Sequence, residues 1–270
     1  MYQTACDTHT HTLYSRHAYS TVAENVAAAR AAGLELLGST DHFSSMVYGS
    51  YDIHDYQFFS NQGCWPRDWD GVTLLRGAEV DILDTEGRLF GQGVPVHSTI
   101  VDTRYSSDRD LYCRVTDKLD YVVASVHNSE FMRDRPIAET TRMYTRVLEN
   151  PRVLVLGHTG RSGVPFDIDE VLTCAREKHK LIEINEHSLS DRGKSIETCR
   201  RIAERCAELG VGITLSSDAH VCTRIGRFDC SKAMLEQIHF PQELIMSRDR
   251  VSFLTAMRDA RVSEIADALL

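Results

Sequence analysis

Seven short apolar runs, separated by segments of helical character, constrain the fold of this 270-residue chain more than any other feature. The runs lie at residues 2–6, 34–38, 72–75, 121–126, 153–156, 181–184 and 211–215. Their length and unbroken hydrophobicity are typical of buried parallel strands. Strands that alternate with helices predict an α/β fold with a parallel sheet. At this chain length a closed or nearly closed β/α barrel is favoured over an open sheet.

Helix boundary signals occur between the runs. Segment 21–32 opens with Thr21-x-x-Glu24, which is a capping box, and is followed by Gly33, whereas segment 195–209 is amphipathic and precedes Gly210. The remaining predicted helices are 137–149, 167–179, 232–239 and a closing helix at 248–270. Segments 43–70 and 84–111 interrupt the alternation. Because loops of that length are uncommon unless they line a site, we expect both near the functional face.

Composition limits the class of protein. The absence of linkers and repeats predicts one domain over residues 1–270, and no apolar run approaches the ~20 residues of a membrane helix. With no secretory signal at the start, we expect a cytoplasmic protein. The 30 Lys and Arg against 39 Asp and Glu give a net charge of −9, which disfavours a nucleic-acid partner. The eight cysteines form no C-x-x-C pair and are interpreted as reduced thiols.

Histidines and carboxylates recur where the apolar runs end. His9 and His11 follow the first run and, being two residues apart in an extended chain, point to one face. The same placement recurs for His17, His42, Glu79, His127, His158, Asp218 and His220. Because the carboxyl ends of barrel strands meet on one face, where active sites lie, these side chains are expected to converge.

A convergence of imidazoles and two carboxylates predicts a transition-metal site. Such a donor set suits zinc first, with manganese or iron as alternatives, whereas calcium and magnesium prefer oxygen alone. With about three protein ligands per catalytic metal, the nine residues indicate three divalent ions, with Glu79 bridging two of them. Three such ions and two carboxylates leave a pocket charge of roughly +4, which suits a small phosphate ester as partner.

This order of residues resembles the PHP family, named for polymerase and histidinol phosphatase domains, and in particular its small stand-alone YcdX-like branch. The resemblance is carried by the ligand order and by His17-Ala18-Tyr19-Ser20, Thr40-Asp41-His42, Trp65-Pro66-Arg67, Glu183-Ile184-Asn185 and Ser217-Asp218-Ala219-His220. It covers nearly the whole chain. It implies a distorted seven-stranded (β/α) TIM-like barrel with a trinuclear metal centre that hydrolyses phosphoesters.

The resemblance also implies how the ligands are divided. One metal would be held by His9, His11, Glu79 and Asp218, a second by Glu79, His127 and His158, and the third by His17, His42 and His220.

Two further residues are candidates for catalytic roles. Asp41 adjoins a proposed ligand and would orient an imidazole or act as general acid, with orientation favoured because sequence adjacency does not aim a carboxylate at substrate. Arg192 and Lys194 follow the sixth run, where a basic group would bind phosphate oxygens or lie in a solvated loop, and Arg192 is the first choice. Arg16 and Arg161, beside proposed ligands, are weaker candidates of the same kind.

These features predict a phosphomonoesterase in which metal-bound hydroxide attacks phosphorus, with histidinol phosphate suggested as substrate by family association. An amidohydrolase-like C–N or ester hydrolase is one alternative, but the fourth run lacks the bridging lysine common in that class. A phosphodiesterase or nuclease of the same family is another, which the negative charge disfavours. A non-catalytic metal-binding module is the third, and no ligand position has been lost to support it.

Overall fold

The computed structural model describes residues 2–190 and 193–270, with no side chains given for 193 and 194. Its strands are β1 (Cys6–Thr10), β2 (Leu36–Ser39), β3 (His42–Phe43), β4 (Asp68–Trp69), β5 (Val72–Asp81), β6 (Pro95–Ser98), β7 (Arg104–Asp110), β8 (Tyr121–Ser125), β9 (Val153–Leu156), β10 (Leu181–Asn185) and β11 (Ile213–Ser216). Its α-helices are α1 (Val22–Ala31), α2 (Gln57–Asn61), α3 (Leu111–Thr116), α4 (Ile137–Leu148), α5 (Ile168–Glu177), α6 (Glu186–Ser190), α7 (Gly193–Leu209), α8 (Asp229–Gln237), α9 (Arg250–Asp259) and α10 (Ile265–Leu269).

Within the described residues, seven parallel strands pair in the order β1-β2-β5-β8-β9-β10-β11. The first and last of them also lie side by side. Thr8 Oγ1 is 2.7 Å from Thr214 Oγ1, and the backbone N–H of Asp218 donates to the carbonyl of His9 at 3.0 Å. The sheet is therefore nearly closed into a barrel with helices around it, which confirms the predicted fold class.

The capping signals define the helix starts as predicted. The Thr21 side chain accepts from the Glu24 N–H, and the Glu24 carboxylate accepts from the Thr21 N–H, so both groups of the capping box are satisfied at the start of α1. Asp167 caps α5 in the same manner by accepting from the Glu170 N–H.

Strand boundaries differ from prediction where the barrel interior is polar. β1 spans Cys6–Thr10 rather than 2–6, so His9 lies within the strand, and Asp7 and Thr8 beside it are also buried. Likewise β5 runs on to Asp81 and includes Glu79. Hydrophobicity did not reveal these residues because their polar side chains are buried against one another rather than against apolar groups.

Three other expectations need correction. The closing helix predicted at 248–270 is two helices, α9 and α10, because Arg261 takes a left-handed backbone conformation with φ of 53°. Segment 43–70 is not a plain loop but contains β3, α2 and β4, and segment 84–111 contains the β6–β7 hairpin. Of the two segments, only 43–70 contributes to the site cavity described below, through Met46.

The main core lies between the barrel and its helices and includes Leu37, Leu74, Val122 and Leu156 from the strands. The cysteines are all free thiols, as predicted. Among the described helices, none has the length and apolar character needed to cross a bilayer.

Candidate metal centre

The predicted ligands converge at the carboxyl end of the barrel. They come from β1 and the turn after it, from β3 and β5, and from the segments that follow β8, β9 and β11. The structure thus brings together His9, His11, His17, His42, Glu79, His127, His158, Asp218 and His220. Residues more than 200 positions apart become neighbours because β1 and β11 adjoin.

Glu79 lies at the centre of the cluster and is 1% exposed. Its Oε1 is 2.8 Å from His158 Nε2 and 3.3 Å from His127 Nε2. Its Oε2 is 2.8 Å from His42 Nδ1 and 3.2 Å from His9 Nε2. The two carboxylate oxygens therefore face two different groups of imidazoles, which is the geometry a bridging ligand requires.

Asp218 forms a second focus on the opposite side of β1. Its Oδ1 is 3.1 Å from His11 Nε2, and that nitrogen is 3.1 Å from His9 Nε2. Its Oδ2 accepts from Arg161 at 3.0 Å and from the Asn185 amide at 3.2 Å. Asp218 has a left-handed backbone with φ of 54°, so the turn after β11 is shaped to present this carboxylate.

Among the described residues, three overlapping donor sets have ligand atoms within 4.8 Å of one another. They are His9, His11 and Asp218; His42, Glu79 and His127; and His11, His42 and His220. The first set lacks the predicted Glu79, and the second contains His42 in place of the predicted His158. In the third, His11 replaces His17.

His17 lies at the outer edge of the cluster. Its side chain is exposed, and its ring centroid is 4.9 Å from that of His42 and 4.8 Å from that of His220. Although the side chain keeps contact with solvent, partial burial of its ring, together with the nearby His42 and His220, lowers the pKa of His17 to about 4, so the imidazole is neutral at physiological pH. A neutral imidazole is the form that binds metals.

The buried carboxylates of the cluster need positive charge close to them. Burial acts to raise the pKa of Glu79, but His9 and His127 hold it well below its ordinary value. Burial acts to lower the pKa of His9, yet the carboxylates of Glu79 and Glu183 outweigh it and raise the pKa well above the ordinary value. Buried carboxylates of this kind require adjacent cations, which divalent ions supply.

Unpartnered atoms test whether these residues fit metal ions. Among the described residues, both ring nitrogens of His42, Oε2 of Glu79 and Nδ1 of His158 are buried without a hydrogen-bond partner. His42 Nδ1 and Glu79 Oε2 are close, but their orientation is not that of a hydrogen bond. Such orphaned atoms would be costly unless another partner satisfied them. The donor set therefore fits nitrogen- and oxygen-liganded transition metals.

Outer carboxylates orient several of the imidazoles, and sequence reasoning did not identify them. Glu183 Oε1 lies 2.7 Å from His9 Nδ1, and Asp81 Oδ1 lies 2.7 Å from His127 Nδ1. The signal available in the sequence was a charged residue inside a predicted buried strand, as Glu183 is within the sixth apolar run. Buried charges are almost always paired, so a buried Glu183 predicts a hydrogen-bonding or oppositely charged partner.

Asp41 is fully buried and its carboxylate is engaged by the loop after β1. It accepts from the backbone N–H of Thr12 at 2.7 Å, from the Thr12 hydroxyl at 2.9 Å and from the Ser15 hydroxyl at 2.6 Å. Ser15 Oγ in turn lies 3.2 Å from His11 Nδ1. Asp41 does not line the cavity and reaches His11 only through Ser15. Arg192 lies outside the described residues.

The cluster opens into a cavity of about 410 Å³. Its polar walls include Arg161, Ser162 and His187, and its apolar surface comes from Met46 and Val126. The volume suits a small molecule, and the lining offers both cationic and apolar surface.

Comparison with known proteins is consistent with this geometry. A family model described as PHP domain matches residues 7–200. A probable phosphatase from Clostridium botulinum (strain Hall) is 38% identical over 253 residues, covering 94% of each chain. A probable phosphatase from Aliivibrio fischeri (strain MJ11) is 38% identical over 250 residues, covering 92% of this chain and 91% of that one.

Among solved structures, histidinol phosphate phosphatase from Lactococcus lactis subsp. lactis, complexed with zinc, L-histidinol and phosphate, is similar with a TM-score of 0.57. The two sequences are 20% identical, and the match covers 88% of this chain and 95% of that chain. At that identity the similarity concerns the fold.

Proposed function

Because this chain belongs to the PHP family and is a phosphatase, we propose that it hydrolyses small phosphomonoesters at a centre of three divalent transition-metal ions, with zinc the first choice. The observation that carries the proposal is the presence of three overlapping donor sets on one face of the barrel, beneath a cavity of small-molecule size. Each set offers about the number of ligands that a catalytic metal uses.

The proposed division of ligands keeps the one that the family resemblance implies, although the donor atoms within 4.8 Å of one another also group His42 with Glu79 and His127, and His11 with His42 and His220. His9, His11 and Asp218 hold one ion together with Glu79, and Glu79 with His127 and His158 holds a second. His42 and His220, with His17 at the edge, hold the third. When bound, such ions supply positive charge that polarises the phosphoryl group and lowers the pKa of water.

The chain's own residues bind and orient the substrate. Arg161 lines the cavity beside Asp218, where its planar guanidinium suits two phosphoryl oxygens. Met46 and Val126 present apolar surface to the leaving group. We assign Asp41 a positioning role through Ser15 and His11, since all its oxygens are engaged away from the cavity. Phosphate binding by Arg192 is retained as part of the proposal.

The attacking group is proposed to be water rather than a side chain. Among the described residues no cysteine lines the cavity, and three of its histidines, His42, His127 and His220, belong to the donor sets. Water attacks phosphorus, the P–O bond to the leaving group breaks, and the alkoxide takes up a proton as it departs. Monoesters are favoured over diesters because they place more charged oxygens against a cationic centre.

Histidinol phosphate belongs among the first substrates to test, because the structurally similar Lactococcus enzyme is complexed with L-histidinol and phosphate. Sugar phosphates, nucleoside monophosphates and p-nitrophenyl phosphate complete the panel. Phosphate release would be measured with protein of known zinc content, and bis-(p-nitrophenyl) phosphate would report diester cleavage. Monoester turnover is expected to dominate. A strong diester preference would favour a nuclease-type activity, and no turnover by zinc-loaded protein would contradict the proposal.

Metal number and bond cleavage are separate measurements. Elemental analysis is expected to find close to three ions per chain, and saturation at one would contradict the trinuclear centre. Hydrolysis in oxygen-18 water is expected to place the label in phosphate. Label in the alcohol, or a phosphorylated residue in quenched protein, would contradict direct attack on phosphorus.

A further inference from the structure

Glu183 is a buried carboxylate that contacts the ligand cluster without being one of the predicted ligands. It lies in the middle of β10, and its side chain has no exposed surface. A carboxylate is costly to bury unless hydrogen bonds compensate for lost water. The partners of Glu183 therefore indicate what it does.

The first partner is the His9 ring. Glu183 Oε1 lies 2.7 Å from His9 Nδ1, while His9 Nε2 faces Glu79 Oε2 at 3.2 Å and His11 Nε2 at 3.1 Å. A carboxylate only accepts, so it holds a ring proton on Nδ1, and Nε2 is then the nitrogen that a metal ion would bind by displacing the second proton.

The second partner is the backbone of His158. Its N–H donates to Glu183 Oε2 at 2.6 Å. His158 has φ of 27°, an uncommon conformation for a residue with a side chain, and its Nε2 lies 2.8 Å from Glu79 Oε1. The same carboxylate thus supports the turn after β9 that aims this imidazole at Glu79.

We infer that Glu183 is a positioning residue that holds His9 on β1 and His158 in the turn after β9 in their metal-binding arrangement. The inference rests on the proposed function, because it takes the cluster to be a metal centre. Ser216 on β11 donates to Oε1 as well, so the carboxylate joins β10 to three neighbouring parts of the barrel. Loss of its acceptor character should disturb two of the proposed metal sites at once.

Glu183→Gln tests the inference because an amide offers one acceptor and one donor in the same volume. The backbone N–H of His158 cannot change, so the amide nitrogen must face His9 and shift its proton to Nε2. We expect zinc affinity to fall about 10- to 100-fold. The histidine ring ¹H–¹⁵N spectrum should lose the His9 Nδ1–H signal.

Glu186→Gln is the matched control. Glu186 is also buried, three residues along the chain, but it accepts from Cys230 N–H, Ser231 N–H and the Ser231 hydroxyl, none of which is a proposed ligand. We expect this variant to keep the zinc number, the zinc affinity and the His9 signal of the wild type, even where thermal stability falls.

Wild-type zinc affinity in Glu183→Gln with an unchanged His9 signal would overturn the inference while leaving the proposed function intact. A wild-type chain that binds no zinc would instead overturn the proposed function.

If Glu183→Gln does not fold, Glu183→Asp provides the test. Its shorter arm keeps the charge but cannot reach both partners, so at least a tenfold loss of zinc affinity is expected and an unchanged affinity would contradict the inference.

Discussion

At the scale of single residues, Glu79 is a buried carboxylate at the centre of the ligand cluster. Both of its oxygens face imidazoles, from His158 and His127 on one side and from His42 and His9 on the other. In the proposed division of ligands this carboxylate contributes charge to two metal sites, whereas a single imidazole contributes one neutral ligand atom.

Glu79→Gln is therefore expected to weaken two zinc sites together. The amide has no negative charge and only one good acceptor, so both neighbouring ions lose charge compensation. His42→Ala, which removes one imidazole, should affect zinc binding less. Zinc titration followed by elemental analysis measures both variants, and equal losses of one ion each would contradict the bridging role.

Lys180 provides a second residue-scale prediction, unrelated to the site. It is 5% exposed, and burial, helped by the nearby Lys178, lowers its pKa to about 8. An unfolded lysine titrates near 10.4. Between these values the unfolded chain binds more protons, so this residue's contribution to folding stability rises with pH across roughly 8 to 10.4. Below pH 8 the folded chain retains a buried charge at a cost.

Lys180→Met should stabilise the protein at pH 7 by on the order of 1 kcal/mol, and the gain should shrink as pH approaches 10.4. The substitution removes the hydrogen bond from Lys180 to the carbonyl of Asn150 at 3.4 Å, but that carbonyl stays satisfied because it also accepts from the N–H of Val153. Denaturant unfolding at several pH values would measure this. The exposed neighbour Lys178 provides the control, and a Lys178→Met gain of the same size would argue against burial as the cause.

At the scale of elements, the barrel strands pack through polar contacts as well as apolar ones. The hydroxyl of Tyr121 on β8 crosses the interior to donate to the carbonyl of Thr8 on β1 at 2.6 Å. Gly38 on β2 lies directly beside this hydroxyl, and an added Cβ there would collide with it and lie 3.1 Å from the Thr8 carbonyl. The glycine is needed here for space rather than for an unusual backbone angle.

Gly38→Ala is expected to destabilise the fold by about 1–3 kcal/mol, since overpacking a closed interior forces backbone shifts. Gly63→Ala, where the added Cβ meets no atom within 4 Å, should be close to neutral. In a Tyr121→Phe background the cost of Gly38→Ala should fall, because the colliding oxygen is gone. Equal costs in both backgrounds would show that the hydroxyl is not the obstacle.

At the scale of the whole molecule, the donor cluster joins strands that are distant in sequence. His9, Glu79, His158 and Asp218 come from four different strand ends around the barrel. Ions held by these residues would cross-link the barrel at one end and stabilise the folded chain in proportion to their binding.

Free zinc at a thousandfold excess over its Kd would stabilise the folded chain by roughly 4 kcal/mol. Removing bound zinc with a chelator should therefore lower Tm by about 10 °C. Calorimetry of chelated and zinc-restored protein measures the change. Magnesium should restore little, because it prefers oxygen ligands and the cluster is rich in imidazole nitrogen. A Tm that does not respond to chelation would contradict a structural contribution from the ions.

The sequence by itself determined the order of the seven barrel strands and which polar residues meet at their carboxyl ends. Apolar runs at regular intervals predicted the parallel strands, and Thr21 with Glu24 predicted the start of α1, because these signals depend on neighbours a few residues away. The recurrence of His and carboxylate at strand ends identified the residues that the barrel brings together, since parallel strands end on one face.

Only the tertiary structure decided how those donors are held and divided. Glu183 contacts His9 across 174 positions of sequence, and His11 rather than His17 completes the third donor set. The Asp41 carboxylate reaches His11 through Ser15. Such contacts depend on strand register, on the closure of β11 against β1 and on the reach of individual side chains. Local periodicity reports which face a residue points to, and carries no information on which distant residue will meet it there.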